Sequence, residues 1–324
     1  MGIHKTALGA ALAAAVLATA ANAQTLLVLN KEGSLAIVDP ATRKVLGRVP
    51  TGESPHEVVA SGDGKLAFTS NYGSSTPGNT ISVIDLAAQK ELRRVDLGSL
   101  RRPHGLDFAG GKLYFTAEVN KLIARYDPAA NQIDWLLGTG QNTTHMVLVT
   151  KDLSRIFTSN IGSDTISVIE SAGVQNWNET AIPVGKGPEG FDLSPDGKQI
   201  WAANSRDGSV SVIDIFSKRV IHTFSVQTKR SNRLKFSPDG RLVLISDLDG
   251  GDLVVLERAT RKELKRIKLG RSPAGILVEP DSSRAYAAVT GDDYVAVIDL
   301  KSLELDARIQ TGTGPDGMAW VEKK

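Results

Sequence analysis

Residues 188–214 read PEGFDLSPDGKQIWAANSRDGSVSVID. Gly190-Phe191-Asp192-Leu193 is a short apolar run, and Pro195-Asp196-Gly197 after it is turn chemistry: proline presets φ, and Asp-Gly tolerates a tight reversal. Gln199–Asn204 forms a second short run, and Arg206-Asp207-Gly208 a second turn. Ser209–Asp214 then alternates polar and apolar residues with period two, which predicts a half-buried strand. The stretch therefore encodes three short strands joined by two tight turns.

The ending of that stretch, two apolar residues and an acid, recurs along the chain. It appears as Ile37-Val38-Asp39, Val83-Ile84-Asp85, Val168-Ile169-Glu170, Val212-Ile213-Asp214, Val255-Leu256-Glu257 and Val297-Ile298-Asp299, with a degenerate copy at Arg125-Tyr126-Asp127. The acids at 39, 85, 127, 170, 214, 257 and 299 are spaced by 46, 42, 43, 44, 43 and 42 residues. A period of about 40–45 residues with four strands per unit is that of a β-propeller blade.

Thr25–Asn30 matches the second strand of the repeat, and nothing matching a first strand precedes it. Gly317-Met318-Ala319-Trp320-Val321, at the other end, matches Gly190–Leu193. The last strand, about residues 316–322, is thus expected to pair with the first, about 25–30, and close the ring, leaving no exposed sheet edge. The expected fold is all-β: one seven-bladed propeller domain over residues 24–324, with four antiparallel strands per blade. The later blades are expected at about 56–97, 104–137, 145–184, 189–225, 233–268 and 274–310.

Residues 1–23 fall outside the repeat. His4 and Lys5 form a basic start, Thr6–Ala20 is an apolar, small-residue stretch, and Ala21-Asn22-Ala23 fits a signal-peptidase site. Cleavage after Ala23, a mature N-terminus at Gln24 and a periplasmic or secreted location are expected. No later apolar segment is long enough to span a bilayer. The chain has 0 Cys, which excludes disulfides, thiol catalysis, zinc–thiolate sites and covalent c-type haem. The formal net charge is +2 with Lys5 included, a balance that argues against nucleic acid as partner. The expected state is a monomer.

Asn204 with Gly208–Asp214, and Gly187-Pro188-Glu189-Gly190 ahead of the first strand, resemble the YVTN-family propeller repeat. The resemblance runs through residues 24–324. It implies kinship with bacterial lactonase-like propellers and, more distantly, with virginiamycin B lyase, and it speaks for the fold far more than for an activity.

Function is therefore sought where blades differ at equivalent positions. The residue placed just before each first strand is Asp316, His56, His104, His145, Glu189, Asn232 or Ala274. Apart from His4 the chain has four histidines, and three of them fill this slot in consecutive blades. First strands line the central channel, so the slot should ring one of its mouths. His56, His104, His145 and Glu189 form a candidate catalytic or metal set: neutral imidazoles and a carboxylate suit a divalent transition metal, the cofactor such a set would take, and histidine also titrates near neutrality. A polar, water-filled mouth with no such role would use the same residue types.

The turn between second and third strands opens on the same face with Asn30, Asn71, Glu118, Asn160, Asn204, Asp247 and Thr290. The asparagines are expected to bond their own turn backbone, while Glu118 and Asp247 can offer carboxylates to the mouth. Nearby loops carry Arg101, Arg102, Lys186, Arg206, Lys229, Arg230 and Arg271, and Arg233 stands where the repeat usually has glycine. A cationic rim of this kind concentrates anions, and arginine grips carboxylate or phosphate bidentately. Arg102, Arg206, Arg230, Arg233, Asn232, Asp316, Glu118 and Asp247 are accordingly the candidate ligand-binding residues.

No G-x-S-x-G elbow or strand–loop–helix phosphate cradle occurs. Aromatic residues make up 5% of the chain and form no base-stacking group. The favoured expectation is an exported propeller that binds a small anionic ligand, a cofactor or a protein partner at this mouth. The alternative is a metal-dependent lactonase-like hydrolase or lyase using the same His/Glu set.

Overall fold

The computed structural model describes residues 24–173 and 176–322; the expected signal peptide lies outside them. The described chain forms seven four-stranded antiparallel sheets arranged as the blades of a propeller. Two single turns of 3-10 helix, Glu118–Asn120 and Thr290–Asp292, are the helical elements among the described residues. No described helix is long and apolar enough to cross a membrane.

The ring closes as the repeat phase requires. Pro315–Val321 is the inner strand of the first blade and pairs antiparallel with Thr25–Asn30, with Leu27 opposite Ala319 and Val28 opposite Met318. Ser34–Asp39 and Lys44–Pro50 complete that blade. Blades two to seven begin at Pro55, Pro103, Thr144, Pro188, Ser231 and Pro273.

The blades pack face to face, so second and third strands are covered on both sides by neighbouring blades. Thr25–Asn30 is buried at every residue. Ser209–Asp214, expected to be half-buried, is buried from Ser209 to Ile213. Its serines are tolerated there because Asn204 Nδ2 donates to Ser209 Oγ at 2.9 Å and Ser211 Oγ at 3.0 Å. Half-exposed alternation belongs instead to outer strands such as Lys90–Asp96 and Gln132–Gly138. The asparagines at the mouth turns likewise bond third-strand hydroxyls rather than their own turn backbone: Asn71 Nδ2 donates to Thr80 Oγ1 and Ser82 Oγ, and Asn160 Nδ2 to Thr165 Oγ1 and Ser167 Oγ.

The inner strands share a second device. Each starts one residue before the slot position rather than after it, so the slot residue is the second of the strand. In each blade the pairing register also shifts across the slot residue and the one after it, as between Pro55 and Val58, Pro103 and Leu106, or Pro188 and Phe191. Such a bulge takes two residues out of the ladder and re-aims their side chains. A hydroxyl on the second strand restores the lost bonding and ties the blades together. Ser246 Oγ accepts from Arg233 N at 3.0 Å and donates to Ala274 O of the next blade at 2.7 Å. Thr116 makes the same link from Gly105 N to His145 O.

Glycine follows the slot in four blades because inner strands nearly touch. A Cβ at Gly190 would stand 2.6 Å from the Arg233 Cα and Asn232 O, and one at Gly275 would stand 2.1 Å from Asp316 O. The exceptions, Glu57, Met146 and Arg233, all line the channel below the mouth.

Closure and blade packing predict a sharp contrast in core substitutions. Leu27, fully buried at the closing pair, should cost about 2–5 kcal/mol when changed to Ala. Leu46, 57% exposed on an outer strand, should cost within about 0.5 kcal/mol. Urea unfolding of the two variants measures the difference, and equal losses would contradict the closed ring.

Candidate functional site

The seven bulges point the slot residues into one mouth of the channel, where they line a cavity of about 610 Å³. His56, His104, His145, Glu189, Asn232, Ala274 and Asp316 all line it, with Glu118, Arg206, Arg230 and Arg233. Arg102 and Asp247 do not. The Arg102 guanidinium lies 4.5 Å from the centre of the Tyr72 ring, and its Nη2 donates to Ser74 O. Asp247 is buried beneath the rim, accepting the amides of Lys229, Arg230 and Gly250; it fixes the loop that carries two of the rim cations.

The mouth has two unlike walls. Blades two to four supply an aromatic and acidic network. His56 stacks on Tyr72 with centroids 4.4 Å apart, and His104 on His145 at 3.8 Å. His56 Nδ1 and His104 Nε2 meet at 3.1 Å. Glu118 joins the group: its Oε1 lies 2.5 Å from His145 Nδ1, and its Oε2 accepts from Tyr72 Oη at 2.6 Å. Its position comes from the 3-10 turn that replaces an Asn turn in the third blade.

Blades five and six supply cations. Arg206, Lys229 and Arg230 are exposed on the cavity wall and form no ion pair among the described residues. The other rim candidates are committed elsewhere: Lys186 to Asp164 and Arg271 to Asp292. Arg101 caps Gly98 O.

Arg233 departs most from the expected rim role. It is only 5% exposed, and it crosses the channel to form an ion pair with Glu57. Two of the three residues that break the glycine rule thus neutralise each other. Together they form a floor, since Arg233 also lines the lower part of the channel. Arg233 is therefore not a free anion grip.

The expected metal set is also regrouped. Glu189 Oε1 is 2.5 Å from Asn232 Nδ2, away from the stacked histidines. Glu118 takes the place beside His104 and His145, and one ligand atom from each of these three lies within 4.8 Å of the others.

Burial sets the electrostatics. It lowers the His56 pKa to about 4, although Asp316 opposes the shift. Burial, with the neighbouring His145 and His56, holds His104 well below the ordinary histidine range, so that ring is neutral. Burial is also the largest influence on Tyr72, raised to about 12 with help from Glu118. For Asp316, burial pushes upward, but Lys31, His56 and Arg233 prevail and keep the carboxyl below its usual value; Lys31 Nζ is 3.2 Å from Asp316 Oδ2.

Sequence reasoning missed Lys31, Tyr72 and Glu57. The first two had a signal. They directly follow Asn30 and Asn71, and the residues following three of the other five mouth-turn positions, Ile161, Ser205 and Leu248, line the cavity too. This partial second ring was legible from the same repeat alignment as the first.

Fold and mouth together define a seven-bladed β-propeller with a polar cavity at one end of its channel. The chain belongs to the YNCE-like β-propeller family, whose model matches residues 143–321. No curated protein matches the sequence. Among solved structures the fold is shared with Kuenenia stuttgartiensis hydrazine synthase, at 22% identity and TM-score 0.71 over 82% of this chain and 89% of that one. It is shared with a candidate 6-phosphogluconolactonase from Bacteroides fragilis, at 15% identity and TM-score 0.76 over 94% and 99%. It is shared too with the dihydro-heme d1 dehydrogenase NirN in complex with DHE, at 14% identity and TM-score 0.66 over 92% and 75%. At these identities the likeness is one of fold.

The His56 shift carries a pH signature. Its folded pKa of about 4 lies below the ordinary histidine value of 6.5. As pH falls the unfolded chain therefore takes up the proton first, and stability drops between those values. From pH 7 to pH 5, the native protein should lose about 1–2 kcal/mol more than a His56→Asn variant. Urea titrations at the two pH values measure this, and parallel losses would show that His56 is not held neutral by burial.

Proposed function

We propose that this propeller is an exported binding protein that takes a small anion at the two-walled mouth. The observation that carries the reading is the trio Arg206, Lys229 and Arg230: exposed, without ion-pair partners among the described residues, and set on one wall of a cavity of about 610 Å³. Three cations around a concavity attract an anion more strongly than the same charges on a convex surface. Tyr72 and the histidines on the opposite wall offer donors and ring faces for the rest of the ligand. The floor made by Arg233 and Glu57 limits the depth, which favours a small molecule over a threaded polymer. The NirN structure, a propeller-containing neighbour in complex with DHE, supports this fold as a ligand scaffold. The sequence of residues 1–23 supports export.

A panel of small carboxylates and phosphate esters, tested by thermal shift and then by calorimetry, probes the site. At least one should raise the melting temperature. A double Arg206→Ala, Arg230→Ala variant should bind it at least ~10-fold more weakly, as expected for losing charged hydrogen bonds, and affinity should fall with added salt. No stabilising anion, or an unchanged affinity in the variant, would overturn the reading.

Export is checked by fractionating a producing Gram-negative cell and determining the N-terminus by mass spectrometry. The periplasmic protein should begin at Gln24. Full-length chain confined to the cytoplasm would refute export.

A further inference from the structure

The carboxylates of the cavity are not alike. Glu118, Glu189, Asp249 and Asp316 all line it. Glu118 is held by His145 and Tyr72, and Asp316 by Lys31. Asp249 is exposed and solvated. Glu189 differs from all of them. It is only 7% exposed, yet it forms no ion pair among the described residues. Its Oε1 accepts from Asn232 Nδ2 at 2.5 Å. The amide is oriented by its other end, where Asn232 Oδ1 accepts from Arg233 Nη1 at 3.4 Å. Glu189 Oε2 has no hydrogen-bond partner among the described residues. Arg233 feels the Glu189 charge, but its guanidinium is committed to Glu57. A desolvated carboxylate with one amide beside it is costly until a cation completes it.

The unpaired cations stand beside this carboxylate. Glu189 and Asn232 are the slot residues of blades five and six, on inner strands so close that a Cβ at Gly190 would stand 2.6 Å from Asn232 O. Lys229 and Arg230 lie just ahead of Asn232 in the chain. Arg206 lays its stem over Gly187, just ahead of Glu189: a Cβ there would meet Arg206 Cγ at 2.9 Å. Two residues of chain span at most about 7 Å, so both signs of charge fall within reach of one small molecule. We propose that the ligand is a zwitterion, a small molecule with a protonated amine beside its anionic group. The amine takes Glu189 Oε2, and the anion takes Arg206, Lys229 and Arg230. This inference rests on the anion reading and narrows it to a ligand class. An ammonium gives Glu189 the counterion the chain withholds, through a charge-assisted hydrogen bond. A simple anion instead brings like charge toward a buried carboxylate, so the same group that favours the zwitterion rejects its amine-free analogue.

The test compares matched ligands on the mature chain by calorimetry: 2-aminoethylphosphonate against ethylphosphonate, taurine against ethanesulfonate, and β-alanine against propionate. In at least one pair the amine-bearing member should bind at least ~10-fold more tightly, the effect of one hydrogen bond between charged groups. That comparison needs no variant. Glu189→Gln should bring the two affinities to within about twofold of each other, because a neutral amide no longer attracts the ammonium. Asp249→Asn should keep the preference, since an exposed carboxylate contributes little. Circular dichroism and melting confirm the fold of both variants. If the anions bind and no pair shows the preference, the zwitterion falls while the anion reading stands. If no member of any pair binds, both fall. A preference that survives Glu189→Gln, or is lost in Asp249→Asn, would overturn the assignment of the amine to Glu189.

Discussion

The hydrogen bonds between Pro315–Val321 and Thr25–Asn30 are the constraint on which the rest of the structure depends. A single blade has two apolar faces and cannot bury either alone. Seven blades in a closed ring cover one another's faces, and the two ends of the chain must share one sheet for the ring to shut. Closure also fixes how near the inner strands come to the axis. That distance leaves no room for a Cβ at Gly190 or Gly275. The bulge that accompanies each close approach is what turns the slot residues toward one mouth.

The site is a consequence of this crowding. Inner strands that nearly touch must place any side chain after the slot in the channel itself. Most blades avoid the problem with glycine, but the second and sixth place Glu57 and Arg233 there, and the two charges meet across the axis. A lone charge at that depth would be heavily penalised, and the pair is stable only because each provides the other's counterion. The effect is to block the channel and convert it into a shallow bowl. Above that floor His56 and His104 are desolvated and stay neutral, whereas the cations on blades five and six are exposed. The bowl thus carries unpaired cations on blades five and six together with the carboxylates Glu118, Glu189, Asp249 and Asp316 of the same lining.

The fold was legible because propeller geometry writes itself into local chemistry: a turn, two apolar residues and an acid, repeated at a near-constant interval. Asp39, Asp85 and Asp214 hold their turns with backbone amides at Ala41, Ala87 and Ser217, which is why the acid persists in the repeat. The slot ring was legible for the same reason, since residues at one repeat position must share one height in the ring. Pairing across blades was not. Nothing local couples Glu57 to Arg233, or Glu118 to His145, because those residues are distant in sequence and meet only by rotation about the axis. The polar third strand misled for a related reason: period two reports which residues are polar, not whether a neighbouring asparagine satisfies them.

By itself, then, the sequence determined the number of blades, the closing strand and the seven positions that face the mouth, because each follows from a short-range pattern repeated in register. Only the tertiary structure decided which of those side chains carry charge into the cavity. Arg233 is spent on Glu57, Asp247 anchors a loop, and Glu118 rather than Glu189 stands beside the stacked histidines. The physical reason is that desolvation and ion pairing depend on distances between blades, and those exist only once the ring has closed.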